Sequence, residues 1–104
     1  MTPEGVLVAY LVKQAKAEGF RIRKLSYEGR RGAPDRLILA PGASLFVEVK
    51  APGEKPRPEQ LREIDLLLRS GLAATWVSSK DEIDKELNRL SLRSWEALDK
   101  GFYV

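Results

Sequence analysis

The chain contains neither cysteine nor histidine. Without cysteine no disulfide, zinc ribbon or thiol nucleophile can be built, and thiol content assigns no redox compartment. Without histidine a Ser-His-Asp triad, a histidine general base and any imidazole-bearing metal site are excluded. A metal bound here would be held by carboxylates, carbonyls and water, a donor set that selects hard cations such as Mg2+ or Mn2+. Also missing is any apolar run near the roughly 20 residues needed to span a bilayer. The start of the chain lacks the basic-then-apolar order of a signal peptide. The sequence therefore reads as a cytoplasmic protein with no membrane partner.

What is present fits one compact domain over residues 1–104, because a chain of 104 residues has room for one core and not two. Hydrophobic residues make up 43% and charged residues 32%, as in an ordinary folded domain. The net charge of +3 is too small to argue for a polyanionic partner by itself. Its distribution says more. Between residues 21 and 36 lie Arg21, Arg23, Lys24, Arg30, Arg31 and Arg36 against only Glu28 and Asp35. Lys50, Lys55, Arg57 and Arg62 follow. Such runs are usually solubilising surface; a basic belt that flanks a group of acids is less usual.

Thr2 and Pro3 supply an N-cap oxygen and a proline for the first helical position. Val8, Leu11, Val12 and Ala15 then recur at helical spacing, and Gly19 closes the helix. Phe20 to Tyr27 reads as a strand with one solvated face. After the loop "EGRRGAP" come two short apolar runs, Arg36 to Ala40 and Ser44 to Lys50, joined by "PGA" as a hairpin. "APGEKPRP" is a loop, and Pro58 restarts a helix with Leu61, Ile64 and Leu68 as its apolar stripe and Gly71 as its end. "LAATWVS" is a fourth strand, reached across a helix and therefore expected to run parallel to the third. Ser79 and Glu82 form a capping box that opens a helix through Leu90, with Ile83, Leu87 and Leu90 inward. Residues 91–104 read as a short helix with an apolar end, whose Trp95, Phe102 and Tyr103 pack on the core or form a dimer contact. The order is α-β-β-β-α-β-α, an α/β architecture with helices covering a mixed sheet.

The third strand carries an oddity. Leu45, Val47 and Val49 share one face and Phe46, Glu48 and Lys50 the other. Glu48 and Lys50 are then neighbours about 6 to 7 Å apart at the strand's end. Asp35 opens the antiparallel partner strand, so the hairpin brings it close to both. Two buried carboxylates repel, and each costs several kcal/mol without compensation. One resolution is a plain ion-pair network, although apolar residues of similar volume would usually stabilise such a position as well or better. The other is a divalent cation held by Asp35, Glu48 and the main-chain carbonyl of Val49. Lys50 would then position an attacking water and neutralise charge on a phosphate.

Pro34-Asp35 followed after a hairpin by Glu48-Val49-Lys50 resembles the PD-(D/E)xK nuclease superfamily, which has a restriction endonuclease-like core. The wider pattern "RRGAPDRLIL…FVEVKAPGEKPRPEQ" looks like the VRR-NUC family within it, over about Glu4 to Ser79. The resemblance implies that Asp35 and Glu48 bind the metal and that Lys50 is catalytic. It also gives meaning to Glu4, which lies in line with Val8, Leu11 and Ala15. By position Glu4 is a first-turn acid complementing the helix dipole; the resemblance implies a carboxylate reaching the metal. Gln60, in line with Ile64 and Leu67, is either a solvated first-turn residue or, as the resemblance suggests, a group that orients Lys50 or touches phosphate.

Arg30, Arg31, Arg36, Lys55 and Arg57 flank this site and are candidate contacts to nucleic-acid phosphates, which would give salt dependence without sequence preference. The expected activity is a Mg2+- or Mn2+-dependent DNA endonuclease selecting substrate by structure. Short members of the resembled family imply a homodimer acting on branched DNA such as four-way (Holliday) junctions in recombination or repair. The alternatives are a nuclease on flaps or duplex ends and a catalytically silent DNA-binding module, which would have lost the acids.

Overall fold

The computed structural model describes residues 1–101 of the chain. Helix α1, Pro3–Ala17, begins where Thr2 Oγ1 accepts the Gly5 N–H at 3.0 Å. A meander follows: strands β1 (Arg21–Lys24), β2 (Arg36–Ala40) and β3 (Ala43–Val49). Helix α2, Pro58–Arg69, crosses over to strand β4, Ala74–Val77, and helix α3, Lys80–Asp99, completes the order. The sheet runs β1-β2-β3-β4, with the first three strands antiparallel and β4 parallel to β3, as expected of a strand reached through a helix.

The alternation along β3 divides the core in two. Leu45, Val47 and Val49 pack with Leu7, Leu11 and Ala15 of α1 and Ile83, Leu87 and Leu90 of α3. Phe46 faces the opposite way, into a smaller cluster with Ile64 and Leu67 of α2 and Ala74 and Trp76 of β4. Helices α1 and α3 therefore cover one face and α2 the other. Glu48 and Lys50 share the side of Phe46, and so lie under α2.

Four expectations are corrected. In α1 the inward line is Leu7, Leu11 and Ala15 instead of one centred on Val8 and Val12, which are only half-buried. The helix is apolar around much of its girth, so spacing leaves its rotation open and the bulkier leucines take the core. Strand β1 is half the expected length. Leu25 N–H still donates to the Asp35 carbonyl at 3.1 Å, after which the chain turns so that Tyr27 reaches Glu63. In α2, Leu61 and Leu68 are 46% and 51% exposed, while Gln60, Glu63, Ile64 and Leu67 are buried. The helix has turned two polar side chains inward because both find partners there. Finally, α3 is one helix of 20 residues and does not break at Leu90. Its inward line continues through Ser94 and Ala97, residues too small or polar to register as apolar periodicity. Ser94 Oγ donates to the Pro41 carbonyl at 2.5 Å and Arg93 Nη2 to the Ser44 carbonyl at 2.9 Å, fastening the second half of α3 to the hairpin turn. Trp95 is 69% exposed and does not pack on the core, whereas Phe102 and Tyr103 lie outside the described residues.

The β1–β2 loop rests directly on α2. At Gly32, where φ is +95°, an added Cβ would stand 2.8 Å from the Glu59 carbonyl oxygen. Gly32→Ala must both adopt a left-handed conformation, at roughly 1–2 kcal/mol, and push the loop off the helix. We expect a loss of about 2 kcal/mol or more, read as a lowered urea midpoint. An unchanged midpoint would mean that the loop does not rest on the Glu59 carbonyl.

Candidate active site

Each group at the end of the β2–β3 hairpin is set by a separate local device. Pro34 is fully buried and leads into Asp35. Asp35 Oδ2 accepts the main-chain N–H of Val49 at 2.7 Å, which draws the carboxylate across the end of β3. The register pairs Arg36 with Val47, so Asp35 falls opposite Glu48. Lys50 N–H donates to the Val77 carbonyl at 2.9 Å, carrying the ladder with β4 one residue past the strand and holding Lys50 in line.

Glu48 is 3% exposed and Lys50 is 8% exposed. Lys50 Nζ lies 3.2 Å from Glu48 Oε2, and Gln60 Nε2 donates to the same oxygen at 2.8 Å. Gln60 Oε1 in turn accepts the Arg57 N–H at 2.8 Å, at the N-terminus of α2. That bond fixes the orientation of the amide, because a main-chain N–H must face its oxygen. Glu48 Oε1 is buried and has no hydrogen-bond partner. Burial raises the Glu48 pKa above the usual carboxylate range, and the neighbouring charge of Asp35 raises it further; Lys50 opposes both, and Glu4 adds a smaller repulsion.

The structure thus brings Asp35, Glu48, Lys50 and Gln60 together, with Glu4 near enough for its charge to reach Glu48. Among the described residues no three carboxylates converge closely enough to form a metal-ligand group by themselves. The site nevertheless fits a hard cation. A carboxylate oxygen buried without a partner is costly, and a second carboxylate beside it compounds the repulsion. A bound cation would offset both, and Asp35 and Glu48 are the residues that would hold it.

The basic residues are less uniformly placed. Arg36 Nη1 bonds the Asp35 carbonyl at 3.0 Å, and Arg57 Nε pairs with Glu59 at 2.9 Å. Arg30 Nη2 lies 3.4 Å from Glu63 Oε1. Arg31 and Lys55 are exposed. The sequence reading missed Tyr27 and Glu63: the Tyr27 hydroxyl donates to Glu63 Oε2 at 2.7 Å, and Glu63 is buried. The available signal was helical spacing, since Glu63 follows Gln60 by three residues on the same face.

Burial and this hydrogen bond push the Tyr27 pKa up to about 12 from the ordinary 10.0. Below pH 10 the phenol is protonated in both folded and unfolded chains, and its contribution is complete. As pH rises from about 10 towards 12, the unfolded chain releases the proton first and stability falls. Urea unfolding at pH 9 and pH 11 checks this: Tyr27→Phe should lose less stability over that interval than the parent protein. Equal losses would show that the bond to Glu63 does not hold the proton.

The order α-β-β-β-α-β, with two acids at the open end of the β2–β3 hairpin and a lysine two residues beyond the second, defines the restriction endonuclease-like fold. No family model matches the chain. It is similar to a protein named "Putative nuclease p44" from Acyrthosiphon pisum secondary endosymbiont phage 1. The two are 43% identical over 79 residues, spanning 75% of this chain and 85% of the phage protein. A solved structure named "VRR_NUC domain" superposes with a TM-score of 0.80 at 42% identity, covering 85% of this chain and 97% of its own. A second, named "VRR_NUC domain protein", shares the fold at a TM-score of 0.71 and 20% identity, over 86% of this chain and 88% of its own. The chain belongs to the VRR-NUC family of nucleases. Among its described residues no helix is long and apolar enough to cross a membrane.

Proposed function

We propose that this protein is a divalent-metal-dependent DNA endonuclease that selects branched substrates, four-way junctions foremost, and acts as a homodimer. The observation that carries the reading is the buried, unpartnered Oε1 of Glu48 beside Asp35, with a buried ammonium 3.2 Å from the same carboxylate. Asp35 and Glu48 would hold Mg2+ or Mn2+, together with the Val49 carbonyl and Glu4. The bound cation supplies Lewis acidity towards a phosphate oxygen and lowers the pKa of water.

The chain's own groups do the rest. Gln60 and Lys50 occupy Oε2 of Glu48 and leave Oε1 for the cation. Lys50 orients a water for attack on phosphorus and offsets the negative charge that builds on the phosphate as the bond to the leaving oxygen breaks. Arg30, Arg31, Arg36, Lys55 and Arg57 contact backbone phosphates, which carry position and not sequence. No segment among the described residues resembles a recognition helix for base readout, which favours recognition by shape. The outward face of α3, where exposed Trp95 and Leu98 line a shallow pocket, offers an apolar surface suited to a second copy of the chain.

The test is incubation of purified protein with duplex, flap and four-way DNA, with and without Mn2+. Paired, Mn2+-dependent cuts in the junction are expected. Preferential cutting of flaps or duplex ends would redirect the substrate assignment, and no metal-dependent cutting of any substrate would reduce the protein to a DNA-binding module.

A further inference from the structure

The β1–β2 loop and α2 line an open cleft of about 400 Å³. Arg62 and Arg69 lie on one line of α2, roughly 10 Å apart along its axis, and Arg30 and Arg31 face them from the loop. The acids in this cleft are already matched. Glu63 holds Arg30 at 3.4 Å, Asp65 holds Arg69 at 2.7 Å, and Glu59 pairs with Arg57 at 2.9 Å. Among the described residues Arg31 and Arg62 make no salt bridge; Glu59, already paired with Arg57, is near enough for its charge to reach Arg31.

The loop is also held in place. Glu63, buried in α2, accepts both the Tyr27 hydroxyl and Arg30, whose guanidinium stands 5.9 Å from the Tyr27 ring centre. Gly32 sits against the Glu59 carbonyl with no room for a side chain. Arginines mounted on a fixed loop spare the cost of ordering the loop when they meet a phosphate. Both walls of the cleft belong to segments that also supply the candidate active site. Gln60, one turn before Glu63, holds Glu48, and Arg31 precedes Asp35 by four residues in the chain.

We propose that this cleft is a DNA backbone site, in which Arg31 and Arg62 bind phosphates of the strand that leaves the carboxylates along α2. The inference rests on the reading of the protein as a DNA nuclease and extends it to a surface on α2. The planar, forked guanidinium suits phosphate oxygens, and the lining is polar apart from Leu66, which favours a polyanion over an apolar peptide. Binding here carries no base preference.

The test is fluorescence anisotropy in EDTA, which prevents metal-dependent cleavage, with labelled four-way and duplex DNA across a KCl series. The double variant Arg31→Ala/Arg62→Ala changes exposed side chains only, and circular dichroism checks its fold. We expect its plot of log affinity against log salt to be shallower by roughly 0.9 for each arginine, equally for both probes. Lys13→Ala, an exposed lysine on α1 across the sheet, should leave the slope unchanged. A folded double variant with the parent slope overturns the cleft assignment alone, provided the parent protein binds and cuts DNA. A parent protein that neither binds nor cuts DNA overturns the nuclease reading and this inference together.

Discussion

Lys50→Ala is expected to lower the rate of DNA cleavage by about 10²–10³-fold, the loss typical of removing one preorganised group that stabilises transition-state charge. DNA affinity should stay within a few-fold of the parent. The two effects separate because of where the ammonium lies. Its side chain is 10% exposed, too buried to be a main point of attachment for a backbone held by surface arginines. Its target is instead the carboxylate edge, 3.2 Å away at Glu48 Oε2. Losing that cation also raises the negative field at Glu48 and Asp35, so metal binding should be kept or strengthened while turnover falls. Lys50→Met retains most of the stem, and the same loss in that variant would exclude a cavity as the cause. Single-turnover cleavage beside anisotropy decides the matter. Turnover within a few-fold of the parent would remove Lys50 from the reaction.

The second large effect is expected at Asp35, where alanine and asparagine should part company. Either substitution removes a charge from the cation site, so neither variant should gain thermal stability from Mn2+. The parent protein should gain about 2.7 kcal/mol at a hundredfold excess over Kd, several degrees or more in Tm for a domain of this size. Without metal the variants differ. Asparagine retains an oxygen that can accept the Val49 N–H, a bond of 2.7 Å in the parent, and it relieves the repulsion that raises the Glu48 pKa. Alanine leaves that N–H without its acceptor, at about 1–3 kcal/mol. Thermal melts of the three proteins with and without Mn2+ test both halves. A parent-like metal shift in Asp35→Asn would deny Asp35 a place at the cation.

The site was legible where chemistry and strand alternation coincide. Glu48 and Lys50 two residues apart on β3 had to share a face, and the "PGA" turn had to bring the start of β2 beside them. For Gln60, spacing from Ile64 and Leu67 left a solvated position and a place at the site both open, and the bond to Glu48 decides between them. Legibility failed where a polar side chain replaces an apolar one in the core. On α2 the run Leu66-Leu67-Leu68 fits several rotations of the helix, and the one adopted is set by Gln60 reaching Glu48 and Glu63 reaching Tyr27. Neither partner is local in sequence. The second half of α3 was obscured in the same way, since Ser94 and Ala97 continue the buried line through a hydrogen bond and small size instead of bulk apolar area. The Tyr27-Glu63 pair spans the β1–β2 loop and α2, and nothing in either segment alone points to the other.

A crystal soaked in Mn2+ and recorded at the manganese absorption edge tests the central claim most directly. The account predicts one anomalous peak within coordinating distance of Asp35 and of Glu48 Oε1, with Lys50 still against the Glu48 carboxylate. A fully loaded crystal with no peak there, or with its only peak at another surface, would contradict it.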